Sequence, residues 1–285
     1  MEERFGEDIY LELGAAAFDD ALKNAGVVVD EIAHFATAGL SARASSKLPS
    51  RLGIGADKRH DDLVSVIGNT GAAHCGVLLA ALFDAAKPGD IVALTVLADG
   101  ADTLVFRMTD AHQPSGAVAN EIARGTGRVS YVDFLSWRGL IERQQPRRPD
   151  PDRAAPPATN RQLEWKFSFS GSECQSCGTR HLPPQRVCLR CGTQDHMQLR
   201  PLADTNATIA TFTVDHLAFS LAPPLVAAAL DFDGGGRYLC ELTDIDASTV
   251  AVGQRVEMTF RRMSTTSGIH NYFWKARPIS EGAVS

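Results

Sequence analysis

The stretch CQSCGTRHLPPQRVCLRCG, residues 174–192, holds two C-x-x-C pairs separated by ten residues. The short gap inside each pair lets both sulfurs turn to one side, and two such pairs complete a tetrahedron of thiolates suited to zinc. Gly178 and Gly192 each follow the second cysteine of a pair, where a missing side chain lets backbone amides fold back toward the sulfurs. A redox dithiol would need a single pair beside a βαβ unit, which this segment lacks. Cys174, Cys177, Cys188 and Cys191 are therefore the expected metal ligands. Four thiolates fill the coordination sphere and leave no position for water or substrate, so the zinc is expected to hold structure rather than to do chemistry. His181 and His196 lie nearby and are surplus to the cage.

Working outward, the composition is that of a globular chain: 285 residues, 44% hydrophobic and 22% charged, long enough for two domains. A net charge of -6 argues against a protein built chiefly to coat nucleic acid. No apolar run approaches the roughly 20 residues that span a bilayer. The acidic start, MEERFGEDIYLELG, lacks the basic-then-apolar layout of a secretory signal, so a cytoplasmic location is expected. In that compartment paired cysteines read as metal ligands rather than disulfides.

The sharpest break in composition is IERQQPRRPDPDRAAPPATN, residues 141–160, rich in Pro, Arg and Asp. Such a segment has too little apolar surface to order itself, and the domain boundary is placed there. Before it, residues 1–140 alternate helix and strand. A helix is expected over 14–26, with Phe18 and Leu22 one turn apart and Gly26 as its stop. Strands are expected at 31–39, 91–97 and 103–109, and GNTGAAHCGVLLAALFDAAKPGD (68–90) reads as a glycine-rich turn feeding an apolar helix. After the linker come the knuckles (161–200) and then five short strands, at 207–216, 225–232, 237–243, 255–261 and 271–277. That spacing over 201–285 suits an all-β barrel of the OB type.

The knuckles and the β-rich segment after them resemble acyl-CoA-associated OB-fold proteins that carry an N-terminal rubredoxin-like zinc ribbon. Pro183-Pro184 between the knuckles, the apolar strand after Pro223-Pro224, and LTDIDASTVAVGQRVEMTFRR (242–262) carry the likeness. It implies a barrel that helps hold the coenzyme A part of a substrate, and a ribbon that joins partner subunits. Six Arg and Lys against three Asp and Glu over 161–200 permit this, and Arg180, Arg186 and Arg190 are the candidates to meet the coenzyme A phosphates. Nucleic acid is the other common OB ligand; Phe212, Phe219, Tyr272 and Trp274 fit barrel core and lip better than a stacking platform.

Residues 8–140 resemble the C-terminal half of hydroxymethylglutaryl-CoA synthases and third-class ketoacyl synthases, through GNTGAAHCGVLLAALFDAAKPGD, IVALTVLADGADTLVFRMT and GRVSYVDFLSWRGL (127–140). The resemblance implies a thiolase-like α/β half-domain, with Asn69 beside a reacting acyl group, where its amide could donate to an oxyanion. The same Asn could instead cap the helix that follows. Two departures weigh against catalysis. The family's histidine position falls on Ala38, and the half that would carry the nucleophilic cysteine is missing. Cys75 beside His74 is not a substitute, because adjacent helical residues point about 100° apart.

The fold expected is thus an α/β thiolase-like half-domain followed by a zinc ribbon and an all-β OB-fold barrel. A lone thiolase half exposes an apolar face, so association is expected, with a thiolase-fold synthase or thiolase subunit or with a second copy. The function expected is that of an acyl-CoA-binding accessory subunit of a Claisen-type acyltransferase complex, not catalytic alone. The alternatives are a synthase of the hydroxymethylglutaryl-CoA type active in its own right, and a nucleic-acid-binding ribbon/OB module.

Overall fold

The computed structural model describes residues 3–125, 129–142, 144, 156–266 and 269–279. Most of the expected linker, 143 and 145–155, lies outside the described residues. The chain divides into two compact units, Met1–Gly127 and Arg128–Ser285.

In the first unit α1 (Glu3–Ala25) begins well before the expected start, because Leu11 extends the buried stripe of Phe18 and Leu22 back toward the N-terminus. It ends in a Schellman motif: Gly26 adopts φ 65°, its amide bonds Lys23 O at 3.3 Å, and the Val27 amide bonds Leu22 O at 3.0 Å. The chain then runs through β1 (Ile32–Gly39), α2 (Ala42–Arg51), the short α3 (Val64–Ile67) and α4 (His74–Ala85) into β2 (Ile91–Ala98) and β3 (Gly100–Arg107). Strand β1 pairs parallel with β2, and β2 antiparallel with β3, giving the order β1-β2-β3.

Side chains alternate across this sheet. Phe35 and Ala93 face a cluster with Phe18 of α1, whereas Ala36, Ala38 and Leu94 face Leu78 and Leu82 of α4. The loop from β2 to β3 is tighter than the expected five-residue turn: Ala98 pairs with Gly100, and Gly100 has φ 143°. Helix α2 escaped the sequence reading because Pro49 and three serines disguise it. Ser41 caps it by accepting from the Ala44 amide, and Leu48 packs with Leu11 and Leu97. A further helix, α5 (Ala117–Ala123), follows β3.

The second unit opens with α6 (Tyr131–Trp137), α7 (Pro156–Asn160) and α8 (Leu163–Phe167). A small sheet of β4 (Ser170–Cys174), β5 (Arg180–His181) and β6 (Met197–Pro201) has the order β5-β4-β6. Five longer strands follow: β7 (Ala207–Asp215), β8 (Leu225–Phe232), β9 (Arg237–Glu241), β10 (Arg255–Thr266) and β11 (Ile269–Pro278), in the order β11-β10-β7-β8-β9. All five expected strands are present. Along β8 every second residue, Val226, Ala228, Leu230 and Phe232, is buried, the period of a strand with one face on the core. The end of β9 bends onto β11, where Leu242 bridges Ala276 and the Thr243 amide bonds Ala276 O at 2.8 Å. That contact closes the sheet into a barrel around Phe169, Leu202, Ile209, Val256 and Met258. Among the described residues no helix is long and apolar enough to cross a membrane.

Candidate functional site

The four knuckle cysteines come together: their sulfurs all lie within 4.8 Å of one another. The Sγ atoms of Cys174 and Cys191 are 3.7 Å apart, and those of Cys177 and Cys188 are 3.5 Å apart. Four thiolates about 2.3 Å from one zinc ion stand roughly 3.8 Å from each other, so the donor set fits zinc in spacing, number and chemistry.

The two knuckles are built alike. Gly178 donates to Cys174 O at 2.8 Å and Gly192 to Cys188 O at 2.9 Å. The Cys174 amide bonds Thr179 O, and the Cys188 amide bonds Thr193 O, each at 2.9 Å. Both glycines have φ near 70°, the left-handed region the tight turn requires. The hydroxyls of Thr179 and Thr193 lie 3.3 Å from Cys177 Sγ and 3.2 Å from Cys191 Sγ. Bonds from Thr179 lower the Cys177 thiol's pKa and those from Thr193 bring Cys191 to about 6, whereas desolvation and the neighbouring thiols raise Cys188 to about 11, so the first two lean toward the thiolate a metal needs and Cys188 leans away from it. Sequence reasoning named the glycines and missed the threonines, although both stand two residues after the second cysteine. His181 and His196 stay outside the cage. His181 is buried in β5, and His196 Nδ1 lies 3.0 Å from the Ser176 hydroxyl.

Of the three arginines set aside for phosphates, two already hold carboxylates. Arg180 donates from Nε to Glu173 at 2.7 Å and from a terminal nitrogen to Asp233 O at 3.0 Å. Its side chain is only 13% exposed. Arg186 grips Asp195 with two bonds of 2.6 and 2.8 Å, which hold the Asp195 carboxyl below its usual pKa. Arg190 is exposed beside the exposed Leu189, with no ion pair among the described residues.

Arg180 also explains the DGGG turn. A Cβ on Gly234 would sit 2.8 Å from the Arg180 guanidinium, and one on Gly236 would sit 2.6 Å from Leu182 Cδ1. Gly234, Gly235 and Gly236 all have positive φ. Asp233 in turn pairs through its carboxylate with Arg255 at the start of β10. The chain Glu173–Arg180–Asp233–Arg255 therefore ties the ribbon to the barrel.

In the first unit Asn69 is exposed, and its Oδ1 accepts the Gly71 amide at 2.8 Å. The side chain shapes the turn before α4. His74 and Cys75 do not form a pair. His74 is buried, with Nε2 2.9 Å from Asp62 O and Nδ1 3.3 Å from the Thr70 hydroxyl, while Cys75 Sγ lies 3.1 Å from Ala72 O. One polar cluster there was not foreseen: His34 Nδ1 is 2.9 Å from His60 Nε2, and His34 Nε2 is 3.5 Å from Asp90. Burial and the neighbouring His34 lower the His60 pKa. These residues belong to a strand, a loop and a strand start, so no spacing in the sequence advertises them.

Residues 200–261 match the family described as the ChsH2 C-terminal OB-fold domain. A DUF35 domain-containing scaffold protein of Methanocaldococcus jannaschii is 27% identical over 124 residues, 42% of this chain and 87% of the relative. Among solved structures, a chain of the Ltp2-ChsH2(DUF35) aldolase is 19% identical, with a TM-score of 0.34, over 46% of this chain and 98% of its own. A monomeric SCP2-thiolase-like protein type 1 from Mycobacterium smegmatis is 13% identical, with a TM-score of 0.25, over 93% of this chain and 45% of its own. Both scores lie below the level at which two chains share one overall arrangement.

Proposed function

We propose that this chain is an accessory, acyl-CoA-binding subunit of a thiolase- or synthase-type acyltransferase complex that makes or breaks carbon–carbon bonds by Claisen chemistry in the cytoplasm. The observation that carries this reading is the pairing of a four-thiolate ribbon with an OB barrel whose relative bears the name of a scaffold protein. The state of the first unit supports it: Ala38 stands where the resemblance requires a histidine, Asn69 is taken up by its own turn, and His74 is held by Asp62 and Thr70. In this reading residues 1–140 form a thiolase-like half-domain, 141–160 a linker, 161–200 the ribbon and 201–285 the barrel.

The metal is structural zinc. It would be held by Cys174, Cys177, Cys188 and Cys191, and what it supplies is a fixed fold for the ribbon. The nucleophile and base belong to the partner. Arg190 is the arginine available for a coenzyme A phosphate, since Arg180 and Arg186 serve the protein itself. Exposed Leu40, Val64 and Val66 give the first unit apolar surface to cover by association with a thiolase-fold subunit or a second copy.

The test is turnover of acetyl-CoA and acetoacetyl-CoA by the purified chain, with and without a thiolase-fold protein that co-purifies with it. Activity only in the complex, with the coenzyme A Michaelis constant raised several-fold by Arg190→Glu, is the expected result. Turnover by the chain alone overturns the proposal.

A further inference from the structure

The three-stranded sheet of the first unit has two edges, and the chain treats them differently. Beside β1 it lays its own loop: Phe35 bridges Arg59, and the His60 amide bonds Phe35 O at 2.8 Å. Among the described residues no strand lies beyond β3 in the order β1-β2-β3. An edge left in this way offers a row of main-chain donors and acceptors to any strand that comes alongside.

The pairing with β2 decides which residues form that row. The Met108 amide bonds Asp90 O at 2.9 Å, so Met108 and every second residue before it turn their main-chain groups toward β2. Arg107, Val105, Thr103 and Ala101 turn theirs outward. Among the described residues none of these amides and carbonyls has a partner.

The usual protections of an edge are missing. Strand β3, GADTLVFR, runs in unbroken register with β2, without a bulge, a proline or a lysine. One face is covered, and there Val105 packs against the cluster of Phe18. On the other face Leu104 is 44% exposed.

The strand's own sequence fits a second copy of itself. Two strands related by a two-fold axis normal to the sheet run antiparallel, keep their faces, and pair residues whose numbers have an even sum. With Thr103 on the axis, it faces its own copy, and Ala101 faces Val105. All of these are outward-turned, so hydrogen-bonded pairs form on both sides of the axis. In this register Asp99 of one copy meets Arg107 of the other, once on each side. Both residues are exposed, and neither forms an ion pair among the described residues. The two Leu104 side chains lie diagonally across the axis on the bare face. Leu104 also stands opposite Asp102, which is exposed and keeps its water there. Moving the axis to Leu104 sets Arg107 against Ala101 and loses the charge match.

We propose that β3 is a homodimer interface, at which two copies pair antiparallel about Thr103 and their sheets become one. This goes beyond the accessory-subunit reading and does not rest on it, since main-chain recognition needs neither acyl-CoA nor a thiolase-fold subunit.

The experiment is sedimentation and hydrogen exchange on the full chain over a range of concentration. A dimer should form as concentration rises, with protection of the Ala101, Thr103 and Val105 amides rising in step. Arg107→Glu and Asp99→Arg each set like charges together on both sides of the axis, and each should raise the dimer dissociation constant by about tenfold. Combined in one chain they restore attraction, and the constant should return to within about twofold of wild type. A mixture of the two single variants should form a heterodimer, because each supplies the charge the other lacks. Ala101→Pro removes an outward amide that β2 does not use, and should block pairing if a charge variant fails to fold. A monomer up to about millimolar concentration, a dimer whose β3 amides stay unprotected, or charge changes that do not cancel overturns the proposal. So does protection of β3 that appears only when a thiolase-fold protein is added, which would assign the edge to that partner.

Discussion

Gly236 is the residue at which the ribbon and the barrel leave no tolerance. Its φ of 101° disfavours any side chain, and the added Cβ would press on Leu182. Gly236→Ala is expected to lower stability by about 1–3 kcal/mol, read as a shift in denaturant midpoint at constant slope. Leu182→Ala in the same background should recover the part due to collision, leaving the backbone part. The DGGG string was legible in the sequence only as a turn. That Gly234 makes room for Arg180 and Gly236 for Leu182, some fifty residues earlier, was not, because close approach between distant segments leaves no local pattern. The knuckles are the opposite case. Their chemistry is written in four residue types at fixed spacing, so the cage could be named before any fold was known. The arginine assignments fall between: residue type announced positive charge, but whether a guanidinium faces solvent or a carboxylate depends on Glu173 and Asp195, which folding supplies.

Among the elements, the small sheet β5-β4-β6 has the least of its own to stand on. Its strands are short, and beyond Ser170, Ser172, Cys174 and His181 few of their residues are buried. Metal ligation must supply what a core does elsewhere. Removal of the metal by a chelator is therefore expected to abolish amide protection over residues 170–201 while β7, β8 and β10 keep theirs, as hydrogen exchange can measure. Loss of protection throughout the barrel, or none in the ribbon, would contradict the structural role. The barrel strands were readable because alternation is local, as in β8. Helix α2 was not, since Pro49 and its serines contradict the propensity that burial of Leu48 overrides.

For the whole molecule, the two units should respond differently to acid. In the first, the His60 pKa is lowered from 6.5, so the unfolded chain binds the extra proton more readily. The associated stability is full above that value and is lost as pH falls through the lower folded value. In the second unit the depressed carboxylates are Asp195, Asp231 and Asp233, each held by an arginine and lowered from 3.8. Their contribution is present above 3.8 and fades only below it. These pairs are exposed and each counts for little. Acid titration followed by NMR should thus disturb β1 and the His60 loop first, beginning below about pH 6.5, and the barrel's ion pairs later. His60→Phe should remove the early step. Simultaneous change in both units would refute this order.

The contact of Arg180 with the DGGG turn has one more consequence. Three successive glycines sample more backbone states than any other tripeptide, and the ribbon's arginine selects one of them. Metal binding, ribbon folding and turn ordering are then linked equilibria. Linkage is reciprocal. Whatever rigidifies the turn at residues 233–236 must tighten the thiolates' hold on their ion, and the ion must favour whatever grips that turn by the same factor.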